Sequence, residues 1–185
     1  MSYHHKNDQP YYNQFSKVFH DYYGLVQDNS LDRLIQSDDC EYVMRKIREE
    51  YLTGTSCTIV LCGPETRGRK YVDWEIKATL DKQHAVVGII LPNNPITQNG
   101  TSKPDRLQDN LDSGFAVLGL WCDIIQRPAH LKELIEHARS KPISLIRNSR
   151  DLRRRNASEV LPPLFPLSGG VSTFAPSAER PFRLF

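Results

Sequence analysis

The run Cys57-Thr58-Ile59-Val60-Leu61-Cys62, closed by Gly63-Pro64, decides the fold class of this chain. It is short, rich in β-branched residues and ended by two residues that interrupt regular structure, as expected of a strand buried on both faces. Ala85 to Leu91 repeats the pattern, and the segment between them, about Lys70 to Gln83, is predicted to be a helix. Such a strand–helix–strand unit predicts parallel strands joined by a right-handed crossover.

The alternation of helices and strands continues on both sides of this unit. Upstream we predict a helix, a short strand, a polar loop and a second helix; downstream we predict a long loop, a strand, a helix and a last short strand. In chain order these elements are Pro10 to Tyr23, Leu25–Val26, Gln27 to Ser37, Asp38 to about Gly54, Asn93 to Ser113, Phe115 to Ile125, Pro128 to before Pro142, and Ile143 to Ile146.

Together these elements predict an α/β fold with a central, mainly parallel sheet of about five strands flanked by helices. The chain has 185 residues, enough for one domain with a single core. We assign that domain to residues 1–156. Residues 157–185 contain repeated prolines and the pair Gly169-Gly170, which predicts a Pro-rich irregular tail.

Composition excludes several classes of partner. The 24 basic and 22 acidic residues give a net charge of +2 and are interleaved, so we expect no nucleic-acid partner. The basic cluster within residues 147–155 is read as a solvated surface, with an anionic partner as the alternative. The longest apolar stretches fall short of the roughly 20 residues that span a bilayer, and the start lacks a secretory signal. We therefore expect a cytoplasmic protein without membrane contact.

Cofactor motifs are also missing from the sequence. No Cys-x-x-Cys pair or Cys/His cluster with zinc spacing occurs, so no metal site is expected. The chain has neither a Gly-x-Gly-x-x-Gly dinucleotide fingerprint nor a nucleoside-triphosphate loop. The cysteines are read as reduced core thiols, and they are Cys40, Cys57, Cys62 and Cys122.

One resemblance extends these inferences to function. The stretch Thr55 to Thr66, followed by Tyr71-Val72-Asp73-Trp74-Glu75-Ile76, resembles the TIR-like domain of Thoeris anti-phage defence proteins. In that family a strand ending in Gly leads through a Thr-containing turn into a helix with a Trp-x-x-x-Glu motif, whose first position here is Tyr71. Ser2 to Asp8 is similar to the end of the family's first strand and the next loop. Pro104 to Gly114 is similar to the loop before its last main strand.

The resemblance covers about residues 1–155 and implies a three-layer, flavodoxin-like (TIR-like) fold. The family has a complete apolar first strand, whereas only a few residues precede His5 here. We therefore expect either a native start further upstream or a first strand of three or four residues.

The resemblance also implies a reaction, cleavage of NAD at the nicotinamide–ribose bond. The implied product is an ADP-ribose-derived signalling nucleotide read by a separate effector, which corresponds to NAD glycohydrolase or ADP-ribosyl cyclase-like activity. NAD would be the substrate, and no cofactor is implied. A homo-oligomer and a phage-derived trigger belong to the same expectation.

The candidate site residues follow from the matched motifs. Glu75 is the candidate catalytic carboxylate, because a fixed anion stabilises the positive charge that develops on the ribose as nicotinamide leaves. The candidate substrate-binding residues, which would line the first loop or share the helix face of Glu75, are Ser2, Tyr3, His5, Asp8 and Tyr71. Trp74 is assigned to the core.

The residues alone leave other interpretations open. Most glutamates of amphipathic helices are solvated, a polar N-terminus is usually frayed, and Asp28 and Ser30 of the second loop are ordinary turn residues as readily as pocket residues. At the level of function, the alternative is a catalytically silent TIR-like module that works by protein–protein assembly. A phosphate-receiving response regulator is less consistent, because the paired acidic residues after its first strand are not found.

Overall fold

The computed structural model describes residues 1–23, 40–47, 49, 52, 54–98 and 100–157. Five strands are described: β1 (Cys57–Cys62), β2 (Ala85–Ile90), β3 (Ile96–Thr97), β4 (Gly100–Thr101) and β5 (Val117–Leu120). The described helices are α1 (His5–Tyr23), α2 (Cys40–Lys46), α3 (Lys70–Asp81), α4 (Asp105–Asp112), α5 (Trp121–Gln126) and α6 (Ala129–Arg139).

A parallel sheet with the order β1-β2-β5 forms the centre. β1 and β2 pair along their whole length, from Cys57 opposite Ala85 to Cys62 opposite Ile90. Helix α3 connects β1 to β2, which is the crossover that the sequence predicted. β3 and β4 form a separate two-stranded hairpin after β2.

Residues 1–4, here named the first segment, lie beside β1. Ser2 forms a parallel bridge with Val60, in which Ser2 N–H donates to Ile59 O and Leu61 N–H donates to Ser2 O, each over 2.9 Å. The first segment therefore occupies the position of a further strand at this side of the sheet. The strand predicted at Leu25–Val26 lies outside the described residues.

Helices cover both faces of the sheet. α1, α5 and α6 pack on one face, around Phe15, Phe19 and Leu131. α3 and α4 pack on the other, where Val72, Ile76 and Leu107 contact the apolar side chains of β1 and β2. Full burial of each such side chain stabilises the fold by about 1.5–3 kcal/mol.

α2 forms an additional layer on the outer side of α3. Val43, Met44 and Ile47 are buried there with Trp74 and Ala78 of α3. Val43, Met44 and Ile47 recur at helical spacing, and the face that they share is the packing face of α2. The predicted α/β fold, with a parallel sheet flanked by helices in the flavodoxin-like manner, is confirmed.

Two boundaries near the start and the end of the sheet differ from the prediction. α1 begins at His5 rather than Pro10, so Pro10 lies inside the helix, and His5 and Asp8 belong to its first turn rather than to a loop. β5 ends at Leu120, and residues 121–126 form α5 rather than the end of a strand. At the start, polar residues continue from the first residues into α1, and at the end, apolar residues continue from β5 into α5. The hydrophobic pattern therefore does not change where the backbone conformation changes, and it does not mark these two boundaries.

Three further segments differ in kind. The long loop predicted from Asn93 to Ser113 contains the β3–β4 hairpin and α4. The sequence does not predict α4, because most of its residues are polar and Leu107 shares the buried face with Arg106 and Asn110. The predicted last strand at Ile143–Ile146 is a 3-10 turn, Ile143–Leu145.

Residues 147–157, here named the C-terminal strap, run from this turn across α4 to the start of α3. The strap contacts α4 through Asn110, whose side chain bonds to both the N–H and the carbonyl of Arg147. It reaches Gly68, whose carbonyl accepts from the Ala157 N–H over 2.8 Å. Within the described ranges, every helix is too short or too polar to cross a membrane.

Candidate functional site

A buried hydrogen-bond network joins the start of α1 to the turn after β1. Thr66 Oγ1 donates to Asp8 Oδ2 over 2.8 Å and accepts from the Gly63 backbone N–H over 2.9 Å. All three residues are buried. A Cβ at position 63 would overlap the Asp8 carboxylate, so this close approach requires glycine. The network holds two chain segments together at the carboxyl edge of the sheet.

Glu65 joins the same two segments nearer to the solvent. Its Oε1 accepts from Asn7 Nδ2 over 2.6 Å, and its Oε2 pairs with the Arg69 guanidinium. His4 Nδ1 lies 3.7 Å from the same Oε2. A polar cluster therefore lines the edge at which open α/β sheets bind their ligands.

Asn94 attaches the loop after β2 to this edge. Its Nδ2 donates to Cys62 O over 2.8 Å and to Ser102 O over 2.7 Å, while its Oδ1 accepts from Ser102 N–H over 3.0 Å. The amide is buried and fully used. It cross-links the end of β1 to the segment that leads into α4.

The register of the first segment assigns its side chains to opposite faces of the sheet. Ser2 is opposite Val60, whose side chain packs with α3, so the Ser2 side chain lies on the α3 face. Tyr3 lies on the other face, in the core with Phe15, and its hydroxyl donates to Gln9 over 3.3 Å. Ser2 Oγ is buried and has no hydrogen-bond partner among the described residues, which is unusual for a hydroxyl.

Glu75 is buried in the middle of α3, with 6% of its surface exposed. Successive helix residues turn by about 100°. Glu75 therefore lies on the flank between the stripe of Val72 and Ile76, which faces the sheet, and the stripe of Trp74 and Ala78, which faces α2. The alternative interpretation of Glu75 as a solvated helix glutamate does not describe this position.

A threonine pair shows what this flank of α3 contacts. Thr79 Oγ1 donates to Glu75 O over 2.7 Å and lies 2.7 Å from Thr58 Oγ1 at the start of β1. Since the Thr79 proton is used in the first bond, Thr58 donates in the second. Because the first segment lies beside β1, the Glu75 flank and the Ser2 side chain are on the same side of the sheet.

The other predicted binding residues lie apart from this position. His5 is on α1, with its Nδ1 3.3 Å from Gln9 Oε1 and its ring 4.2 Å from that of Tyr3. Tyr71 packs edge-on against Trp74 at 5.5 Å, under the Lys70 ammonium. Trp74 is buried in the core, as predicted. Ser2 is thus on the Glu75 side, Asp8 lies at the sheet edge, and Tyr3, His5 and Tyr71 pack elsewhere.

Burial also governs the ionisation of groups near the edge. It raises the pKa of Asp8 above the usual value of 3.8, while hydrogen bonds from Thr66 and from the backbone oppose the shift. Burial raises the pKa of Cys57 and Cys62 to about 12, so both remain thiols at neutral pH. Cys122 is exposed, which corrects its assignment to the core.

Sequence reasoning missed several residues of this edge, namely His4, Asn7, Glu65, Thr66, Arg69 and Asn94. Glu65 and Thr66 had a visible signal, because they lie three and four residues after the end of the buried strand β1 at Cys62. Asn94 had the corresponding position after β2. Asp28 and Ser30 lie outside the described residues. In the part of the chain that the structure describes, no cluster of three His, Cys, Asp or Glu residues could hold a metal ion.

Comparison with models of known families gives a match over the first half of the chain. The family described as Thoeris protein ThsB, TIR-like domain, matches residues 1–96, a range that includes β1, α3 and β2. No curated protein matches the chain.

Proposed function

Because the chain belongs to the family of the Thoeris protein ThsB, TIR-like domain, it is an anti-phage defence protein, and we propose that it cleaves NAD at the nicotinamide–ribose bond. The observation that carries the proposal is the buried carboxylate of Glu75, on the α3 flank that faces β1 and the first segment. Burial of a carboxylate costs free energy, and such groups are concentrated at functional sites.

The reaction suits a single fixed carboxylate. When the ribose C1′–nitrogen bond breaks, its electron pair goes to nicotinamide, which leaves as a neutral molecule and needs no proton from an acid. Positive charge develops on the ribose, and an anion held nearby stabilises that state. Water or another nucleophile then completes the substitution at C1′.

Other residues have supporting roles in the proposal. Ser2 Oγ, buried without a partner among the described residues, is available to a ribose hydroxyl on the Glu75 side of the sheet. The Asp8–Thr66 and Asn7–Glu65 bonds hold the start of α1 against the turn after β1 at the carboxyl edge, which reduces the rearrangement needed when substrate binds. Tyr71 acts indirectly, by packing with Trp74 against α2.

The product in this proposal is an ADP-ribose-derived nucleotide that diffuses to a separate effector. A phage component would trigger its synthesis, and self-association would belong to the active form. NAD serves as the substrate throughout, without a further cofactor.

A catalytically silent assembly module is the second candidate. One observation favours it: Leu118 and Leu120 are exposed on β5, with 38% and 53% of their surfaces accessible. β5 is an outer strand of the described sheet and carries no charged residue or proline, the features that usually protect an edge from pairing.

The test compares wild type with Glu75→Gln, which keeps the shape of the side chain and removes its charge. Glu136→Gln, on the exposed side of α6, is the matched control. We expect wild type and the control to release nicotinamide in lysate from infected cells, and Glu75→Gln to release none while melting at a similar temperature. Mass spectrometry of the products identifies the nucleotide.

Intact NAD with assembled wild-type protein in infected lysate would refute the enzyme. In that case, loss of self-association on Leu120→Asp would support the assembly module.

A further inference from the structure

A buried arginine joins α4 to α3 on the flank opposite Glu75. Arg106 is completely buried, and its Nε donates to Asp73 Oδ1 over 2.9 Å. Its Nη2 lies 3.4 Å from Asp73 Oδ2, so the guanidinium and the carboxylate face each other as two forks. Asp73 precedes Glu75 by two residues, a turn of about 200° around the helix. A shift of Asp73 along the helix axis would therefore move Glu75 with it.

The same guanidinium binds the C-terminal strap. Arg106 Nη1 donates to Asn148 Oδ1 over 2.8 Å, and Nη2 donates to Arg150 O over 2.9 Å. The strap in turn contacts α3, since the Arg153 N–H donates to Asp73 Oδ2 over 2.9 Å. Arg106 is thus the point at which α3, α4 and the strap meet.

The strap also completes the N-terminus of α3. The residue before the helix, Arg69, makes no side-chain capping bond. Instead, the Lys70 N–H donates to Asn156 Oδ1 over 2.9 Å, so the cap comes from a residue 86 positions away. Further along, Trp74 Nε1 donates to Arg153 O over 2.8 Å. The first half of α3 is therefore held from outside by directional bonds.

A pocket of about 400 Å³, open to solvent, lies at the surface beside these bonds, and charged side chains such as Arg67, Asp105 and Arg150 line it. A well-packed apolar cluster would often stabilise the fold as much as the buried Arg106–Asp73 ion pair does. The ion pair differs because its hydrogen bonds are directional and so fix the position of α3 relative to α4. A lysine keeps the charge of arginine without the planar fork.

We propose that Arg106 is a positioning residue for Glu75, which, with Asp73 and the C-terminal strap, sets the place of α3 against the sheet. The inference rests on the proposed function, because the position of Glu75 affects the rate of a reaction only if Glu75 takes part in that reaction. The strap contacts α3 on the side remote from Glu75, and displacement of the strap would lower the rate of NAD cleavage.

The test uses the full chain with Arg106→Lys, the milder Asn156→Ala, and Arg127→Lys as the matched control. Arg127 is exposed beside α6, where its partner is Glu133. We expect Arg106→Lys to lower kcat by about 10- to 100-fold, the effect of misplacing a reacting group by about 1 Å, with KM changed by less than about twofold. Asn156→Ala should lower kcat less, and Arg127→Lys should leave kcat and KM unchanged.

Hydrogen exchange provides a readout that does not need activity. Amides in residues 70–77 should exchange faster in Arg106→Lys than in wild type and the control, while β1 and β2 keep their protection. A purely structural role would lower the melting temperature and leave kcat of the folded molecules unchanged, which would overturn the proposal. If wild type does not cleave NAD, the proposed function fails, and unchanged exchange in residues 70–77 would then overturn the positioning role separately.

Discussion

Removal of the Thr66 hydroxyl is the most direct test of the hydrogen bonds in the candidate site. Thr66→Val keeps the shape of the side chain but removes the donor to Asp8 Oδ2 and the acceptor for the Gly63 N–H. Both partners are buried, and a hydrogen bond to a charged group contributes about 1.5–3 kcal/mol. Together with the unpaired amide, we expect a loss of about 2–4 kcal/mol in the free energy of unfolding at pH 7.

The loss should depend on pH. Burial raises the pKa of Asp8, so the folded state binds its proton more tightly than the unfolded state, and stability falls as pH rises from about 3.8 through the folded value. The Thr66 hydrogen bond opposes this shift, so its removal raises the pKa of Asp8 further. The difference between wild type and Thr66→Val should therefore be smaller near pH 4 and larger at pH 7.

Urea unfolding followed by tryptophan fluorescence at both pH values measures this difference. Thr66→Ser, which restores the hydroxyl, is the control and should recover most of the stability. A loss below about 1 kcal/mol at pH 7, or one of equal size at both pH values, would refute the account of this network.

Two further predictions concern the rest of the fold. Phe15→Ala, in the core under the sheet, should cost about 3–5 kcal/mol in urea unfolding, whereas Ile96→Ala, 86% exposed, should change stability by less than about 0.5 kcal/mol; equal effects would contradict the assignment of the core. Arg150→Met removes the partner that holds the pKa of Asp109 below its usual value, so it should cost at most about 1 kcal/mol at pH 7. That cost should disappear as pH falls below 3.8 through the lowered pKa, and a cost that persists in acid would rule out the ion pair as its cause.

The sequence predicted the elements that have a strong pattern within a few consecutive residues. β1 occupies the predicted residues Cys57–Cys62, and α3 begins at the predicted Lys70. Both have strong local signals, a β-branched run and a helix followed by a second buried strand. α4 had no such signal, because Arg106 on its buried face is satisfied by an aspartate 33 residues away.

The candidate site was predictable to a similar degree. The motif indicated Glu75 and the first segment indicated Ser2, and the structure assigns both to the same side of the sheet. The sequence did not show that Ser2 and Tyr3 lie on opposite faces of the sheet in the way the structure has them. Side chains alternate between the two faces, but which residue faces which side is known only once one residue of the segment has a known partner on the neighbouring strand. Catalysis by Glu75 stays a prediction.

The sequence by itself determined the fold class, the parallel β1–α3–β2 unit and the motif that contains Glu75, because backbone propensities and apolar patterns act over a few residues. Only the tertiary structure decided which polar groups meet: Asp8 bonds to Thr66 across 58 positions, and Asn156 caps α3 across 86. Such hydrogen bonds form only after the packing of helices and strands has brought distant segments within about 3 Å of each other. The local conformation of the chain does not determine which distant segments meet.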